Sequence, residues 1–268
     1  MQIVLQPNNS NVIRASLLAF AVIAPFLSIA LVGSGFFAAL GPLFVSHMLM
    51  LYPTLVANCQ WWGPVFTRFQ TSEQEVWLTI DDGPTPEQTP AILEILERFE
   101  ARATFFVIGA NAEKYPHLIT EILARGHALA NHTYTHPRAM FWCASAAKIR
   151  SEIDRCAETL RTLPERPALF FRSPVGMKNL FVHPALARRG MVLIGWTVRG
   201  LDTVKRDAVA VAERIEKGVQ PGAIILLHEG QRLAKEPEFN PRCIERTLQR
   251  LATHGYRFVI PRPEQLRT

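Results

Sequence analysis

Hydrophobic and polar positions divide the chain at Arg68. From Ala15 to Thr67 there is no Asp, Glu, Lys or Arg, and the apolar residues form two long runs, Ala15–Val32 and Phe36–Ala57, separated by Gly33-Ser34-Gly35. About 20 apolar residues cross a bilayer as a helix. The pattern therefore predicts a transmembrane hairpin (15–32 and 36–57), with 1–14 as a short tail and 58–74 as an interfacial linker. Pro25 and Pro42 are tolerated in such helices. A cleaved signal peptide fits less well, because the apolar region is too long and lacks an obvious break after a small-residue cleavage site. Arg14 precedes the first run and Arg68 follows the second. The positive-inside tendency then puts both ends on the cytoplasmic side of a bacterial-type inner membrane. Trp61 and Trp62 suit the head-group belt, and His47 within the second run is read as a neutral histidine near the membrane.

After Arg68 short apolar runs alternate with amphipathic stretches. The candidate strands are Val76–Asp81, Ala103–Ile108, His127–Asn131, Leu169–Ser173, Val192–Thr197, Ala223–His228 and Arg257–Ile260. Helical patterns cover Glu87–Phe99, Ala112–Arg125, Ala146–Leu160, His183–Arg189, Arg206–Lys217 and Pro241–His254. Gly126, Gly190, Gly222 and Gly255 fall between a helix and the next strand, where a C-terminal cap is expected. Strands alternating with helices imply parallel pairing through right-handed crossovers. A closed barrel and an open doubly wound sheet both satisfy the pattern. No glycine-rich phosphate loop follows the first strand, which disfavours a nucleotide-binding sheet.

The chain has 268 residues, 49% of them hydrophobic, and a formal net charge of +6. The charge falls almost wholly after Arg68 and fits acidic partners or a plain basic surface. No Lys/Arg run interleaves with aromatics, so nucleic acid is not an expected partner. Cys59, Cys143, Cys156 and Cys243 form no CxxC pair, leaving a zinc–thiolate site without support and a disulfide framework unneeded at this size. Oligomeric state is not legible.

Polar residues gather at the C-terminal ends of the candidate strands: Asp81 and Asp82, His132, Arg172, Asp202 and His228. In a β/α barrel that face carries the active site. An Asp with His132 and His136 makes a candidate divalent-metal triad, and the neighbouring Asp a candidate base. Taken alone, Asp81-Asp82-Gly83-Pro84 is also an ordinary turn. It is the shared rim that favours a metal site.

Four segments in order carry a resemblance: Thr79–Pro84, His132–His136, Arg172-Ser173-Pro174-Val175-Gly176 and Leu226-Leu227-His228. Together they resemble the polysaccharide deacetylases with a NodB-homology domain, carbohydrate esterase family 4, over a domain taken as 75–268. The resemblance implies an α/β fold, a distorted (β/α)7 barrel, and metal-dependent hydrolysis of an N-acetyl group on an amino sugar. It implies Asp82, His132 and His136 as ligands of a divalent metal, zinc before cobalt or nickel. It implies Asp81 as general base, His228 as general acid, Arg172 orienting Asp81, and the Val175 N–H holding the oxyanion. One segment departs from the family. Arg199 stands where an Asp is common and Thr203 where a Trp is, while Asp202 remains to tune His228. The hairpin and basic domain suggest a lipid-linked N-acetylhexosamine as substrate. Peptidoglycan, chitooligosaccharide or exopolysaccharide deacetylation, sugar deformylation and an inactive carbohydrate-binding module are the alternatives.

Overall fold

The computed structural model describes residues 10–161, 169–230 and 236–268; positions 1–9 of the expected tail lie outside it. Two helices, α1 (Ser10–Ala30) and α2 (Phe36–Leu55), pack on each other. Both are long and apolar enough to cross a membrane by length and composition. Phe26, Phe37 and Phe44 stand exposed on them. His47 bonds through Nδ1 to the Leu43 carbonyl one turn back, 2.7 Å away. Trp61 packs on Tyr52, whereas Trp62 is buried and donates to Thr54 Oγ1, so of the two indoles expected in a head-group belt the second is withdrawn into the protein.

The remaining elements follow in chain order. They are β1 (Val65–Phe66), β2 (Arg68–Phe69), β3 (Glu75–Asp81), α3 (Thr89–Arg98), β4 (Ala103–Val107), α4 (Gly109–Lys114) and α5 (Pro116–Ala124). Next come β5 (Ala128–Asn131), α6 (Ala146–Arg161), β6 (Phe170–Phe171), α7 (Val182–Ala187), β7 (Val192–Ile194) and β8 (Val198–Arg199). Last are α8 (Ala208–Gly218), β9 (Ile224–His228), α9 (Phe239–Thr253), β10 (Arg257–Phe258) and β11 (Leu266–Arg267). The main sheet runs β1-β7-β6-β5-β4-β3-β9-β8, with β10 also beside β3, and every pair in it is parallel. β1 and β8 do not pair as strands, but the Thr197 hydroxyl donates to the Thr67 carbonyl and draws the two edges together. The result is the expected distorted parallel barrel, left partly open.

Alternation along β3 explains both of its buried faces. Val76, Leu78 and Ile80 join the core shared with α3 and α9, including Leu93, Ile244 and Leu248. Trp77, Thr79 and Asp81 point the other way, into the barrel with Phe106, Phe170 and Ile224, as a period of two requires.

Two sequence expectations were too coarse. The helix read over Ala112–Arg125 is two helices, because Pro116 lacks an N–H and keeps Tyr115 out of the helical region (φ −125°, ψ 57°). The strand read over Val192–Thr197 ends at Ile194: β7 lies between β1 and β6 on one side of the sheet, and the chain resumes as β8 at the opposite edge. Between them the Gly195 and Trp196 carbonyls accept side-chain donors, from Arg172 Nη2 and Asn58 Nδ2.

The stretch read as a linker holds structure. β1 extends the sheet beside β7, β2 pairs antiparallel with β11, and Phe69 is buried against Trp77 and Leu266. Phe69→Ala is expected to lower unfolding free energy by about 3–5 kcal/mol. A change in a mere tether stays within about 0.5 kcal/mol. Urea titration of the detergent-solubilised protein separates the two.

Candidate active site

Asp81 is the last residue of β3, and strand register sets it beside His228, the last residue of β9. In a strand, neighbouring side chains face opposite ways, yet Asp81 and Asp82 line the same cavity. Asp82 achieves this by a left-handed backbone (φ 77°) where the strand ends. Asp is one of the few residues that adopt it at modest cost.

Asp82 Oδ1 lies 3.3 Å from His132 Nε2 and 3.2 Å from His136 Nε2. One ligand atom from each of the three falls within 4.8 Å of the others. His132 Nδ1 is 2.9 Å from the Arg172 carbonyl. A carbonyl only accepts, so Nδ1 carries the proton and Nε2 presents its lone pair beside Asp82. A carboxylate and two imidazoles, with one tautomer fixed by a backbone bond, match the donor set and outer-shell arrangement of a divalent transition-metal site. The residues fit the ion the resemblance implies. Burial opposes ionisation of Asp82, but His132, His136 and His228 outweigh it and hold the carboxyl well below its usual range. Burial and the neighbouring His132 bring His136 down to about 4, favouring the neutral, ligating imidazole.

The loop that carries both histidines is fixed by a residue the sequence reading missed. Glu152 of α6 is buried and accepts the Tyr134 and Thr135 N–H groups at 3.0 and 2.8 Å and the Thr135 hydroxyl at 2.7 Å. Lys148 pairs with it at 2.7 Å. The available signal was an acid on the buried stripe of an amphipathic helix.

Arg172 is fully buried beside Asp81. Its Nη1 donates to Asp81 Oδ1 and Thr79 Oγ1, both at 2.7 Å, its Nη2 to the Gly195 carbonyl at 2.8 Å and its Nε to the Ile194 carbonyl at 3.3 Å. Burial pulls the guanidinium down, and the Asp81 charge and bond oppose that pull. The other oxygen, Asp81 Oδ2, is 3.8 Å from His132 Nε2.

Asp202, wholly buried, holds the opposite wall. It accepts the His228 backbone N–H at 2.7 Å and faces His228 Nδ1 at 3.0 Å. Burial alone would lower His228, but Asp202 first, then Asp82 and Asp81, raise it to about 9. Val175 sits at the rim in a left-handed conformation (φ 56°), unusual for a β-branched residue, in the short turn Pro174–Gly176. Arg199, Thr203, Trp196 and Arg138 complete the cavity wall. The structure thus brings every candidate site residue to one cavity except Arg172 and Asp202, which stand directly behind Asp81 and His228.

The polysaccharide deacetylase family matches residues 69–194. The chain is similar to a chitooligosaccharide deacetylase of Sinorhizobium fredii, 36% identical over 163 residues, covering 61% of this chain and 75% of that protein. It is similar in structure to the Bc1960 peptidoglycan N-acetylglucosamine deacetylase, with a TM-score of 0.65 and 30% identity, covering 72% of this chain and 88% of that one. It also resembles a mutant of BA3943, a CE4 family pseudoenzyme with restored enzymatic activity, at a TM-score of 0.62 and 26% identity, covering 72% and 67%. With this fold and this degree of identity, the chain belongs to the polysaccharide deacetylase family and is a hydrolytic carbohydrate N-deacetylase.

Proposed function

We propose that the protein removes the N-acetyl group from an amino sugar presented at a membrane surface, with Asp81 as general base and His228 as general acid. The observation that carries this reading is their register. The two residues end adjacent strands beside the Asp82, His132 and His136 group, and each has a dedicated partner, Arg172 and Asp202.

Asp82, His132 and His136 would hold the ion, zinc by preference, with cobalt or nickel compatible with the same donors. Such an ion would supply polarisation of the amide carbonyl and a lowered pKa for the attacking water. Asp81, oriented by the bond from Arg172, takes a proton from the attacking water. Asp202 fixes the Nδ1 proton of His228, leaving Nε2 to deliver a proton to the departing nitrogen. The Val175 N–H helps hold the oxyanion.

The finer reading concerns presentation of the substrate. Ala57, two residues past α2, abuts Gly176 on the cavity rim. With α1 and α2 in a bilayer, the cavity opens close to the head groups. Arg138 and Arg199 line it, and neither forms an ion pair among the described residues. A phosphate-bearing carrier, as in a polyprenyl-phosphate-linked or lipid A-type N-acetylhexosamine, matches both features. The similarity to chitooligosaccharide and peptidoglycan deacetylases favours a second reading, a glycan polymer as substrate. A formyl group in place of acetyl would use the same residues. We place the barrel on the cytoplasmic face, from Arg14 and Arg68 flanking the apolar runs. A reporter fused to the C-terminus reads that sidedness.

Purified full-length protein in nanodiscs is expected to release acetate faster from lipid-linked N-acetylhexosamine than from chitotetraose or peptidoglycan. The reverse order establishes the polymer reading, and formate release from an N-formyl analogue at a higher rate establishes deformylation. Asp81→Asn is expected to lower kcat by about 10²–10⁴-fold while metal content by plasma mass spectrometry stays at the wild-type level; His132→Ala loses the metal as well. Unchanged cellular activity in the Asp81→Asn strain would instead favour a binding module.

The pH dependence follows from His228. The acid must be protonated, and Asp202 raises its pKa, so activity falls as pH rises through that value. Asp202→Asn removes the largest raising influence. The alkaline limb of kcat/KM is expected to move to lower pH by about one unit or more, as read from a pH–rate profile of both proteins.

A further inference from the structure

The C-terminal end of the hairpin is built into the cavity wall. Lys178 follows the Val175 turn by two residues and is fully buried. Its Nζ donates to the Val56 carbonyl at 2.9 Å and the Ala57 carbonyl at 2.7 Å, and its backbone N–H to the Thr54 carbonyl at 3.1 Å. These are the last carbonyls of α2 and the residues just after it. They carry the negative end of the helix dipole, where a cation is favoured. No carboxylate pairs with Lys178 among the described residues. Burial pulls the amine down to about 8, so it remains mostly protonated at neutral pH.

Two further contacts tie the same segment to the cavity, and a third braces it internally. A Cβ on Gly176 would meet Ala57 Cβ and the Trp196 ring, both at 2.6 Å, so the turn lies flat between the end of the hairpin and the cavity wall. Asn58 Nδ2 donates to the Trp196 carbonyl at 2.8 Å. Trp62 Nε1 donates to Thr54 Oγ1 at 3.2 Å. On the barrel side the turn is closed by Gly176 N–H to the Ser173 carbonyl and Met177 N–H to the Pro174 carbonyl. Asn179 fixes the exit through the Ala144 carbonyl.

We propose that Lys178 is a positioning residue that locks the Val175 turn to the carbonyl end of α2, making the apolar hairpin a supporting wall of the reaction cavity. Its consequence for turnover rests on the role given to Val175 above; the mechanical coupling does not. Lys178 touches no reacting atom. It acts by holding a backbone N–H in place, and a displacement of about 1 Å at such a group costs on the order of 10²-fold in rate.

The test uses the full chain in nanodiscs. Lys178→Met keeps the length of the side chain and removes its donors. Expected are faster amide exchange over residues 174–178 with exchange at 81–83 and 132–136 unchanged, wild-type metal content, and a kcat lower by about 10- to 100-fold at similar KM. Lys178→Arg, which keeps charge and donors, should recover part of the kcat. Wild-type exchange in Lys178→Met overturns the coupling, and faster exchange with wild-type kcat overturns the positioning role. Should Lys178→Met fail to fold, Asn58→Ala decides: faster exchange over 174–178 and 195–197 with reduced kcat supports the proposal, and no change in either overturns it. A wild-type protein inactive on every acetylated glycan would sink the functional reading, while the exchange arm would still test the coupling.

Discussion

The structure turns on one buried ion pair, Arg172 with Asp81. An unpaired charge at either position would face a desolvation cost of several kcal/mol (about that per ion in proteins). The geometry therefore satisfies the guanidinium from two strands at once: Asp81 and Thr79 on β3, and Ile194 on β7 with Gly195 just beyond it. Arg172 itself follows β6, and its Cζ lies 4.2 Å over the Phe106 ring of β4. The interior of the barrel is thus organised around a cation that also holds Asp81 in place. A pair of this kind adds little net stability, but it fixes the direction of the carboxylate. It also accounts for the break after β7, because the carbonyls that accept from Arg172 turn inward rather than along the ladder.

Much of the rim was legible because its residues follow strand ends within one or two positions. Asp81, His132, Arg172 and His228 needed only the periodicity of apolar runs to share one face, and Asp82 needed only a turn. Glu152 and Lys178 were not legible, because their partners are backbone groups brought near by the fold rather than by spacing. Glu152 reaches the Thr135 N–H across 17 residues, and Lys178 reaches Val56 across 122. β1 and β2 were missed for another reason: two-residue strands have no period to read. The end of β7 at Ile194 was hidden because Gly195 and Trp196 beyond it are buried as well, which left no polar break to read.

Charge balance explains why a third carboxyl can sit near Asp81 and Asp82. Glu229, next to His228, is buried, and burial first, then Asp82, pushes it up to about 8. Thr89 Oγ1 lies 2.5 Å from its Oε2. At neutral pH Glu229 is therefore largely a neutral packing group, and it fills the space a side chain on Gly83 would need. Asp82 is the acid whose ionised form the surrounding histidines favour, and a carboxylate beside two imidazoles is a favourable setting for a divalent cation at the triad.

The altered segment around Arg199 bears on the substrate more than on the reaction. Where the resemblance implies an Asp, the chain has Arg199, and carbonyls and a threonine hydroxyl satisfy Arg172 beside Asp81 without a second acid. Asp202 keeps its hold on both the main chain and the ring of His228. Position 199 is released from the catalytic core and stands on the cavity wall, with its guanidinium 5.6 Å over the Trp196 ring. The Trp196 carbonyl is in turn held by Asn58, just past the end of α2. The part of the wall that departs from the family is therefore the part the hairpin supports, and on the proposed reading it is where a carrier group reaching in from the membrane surface would meet the protein first.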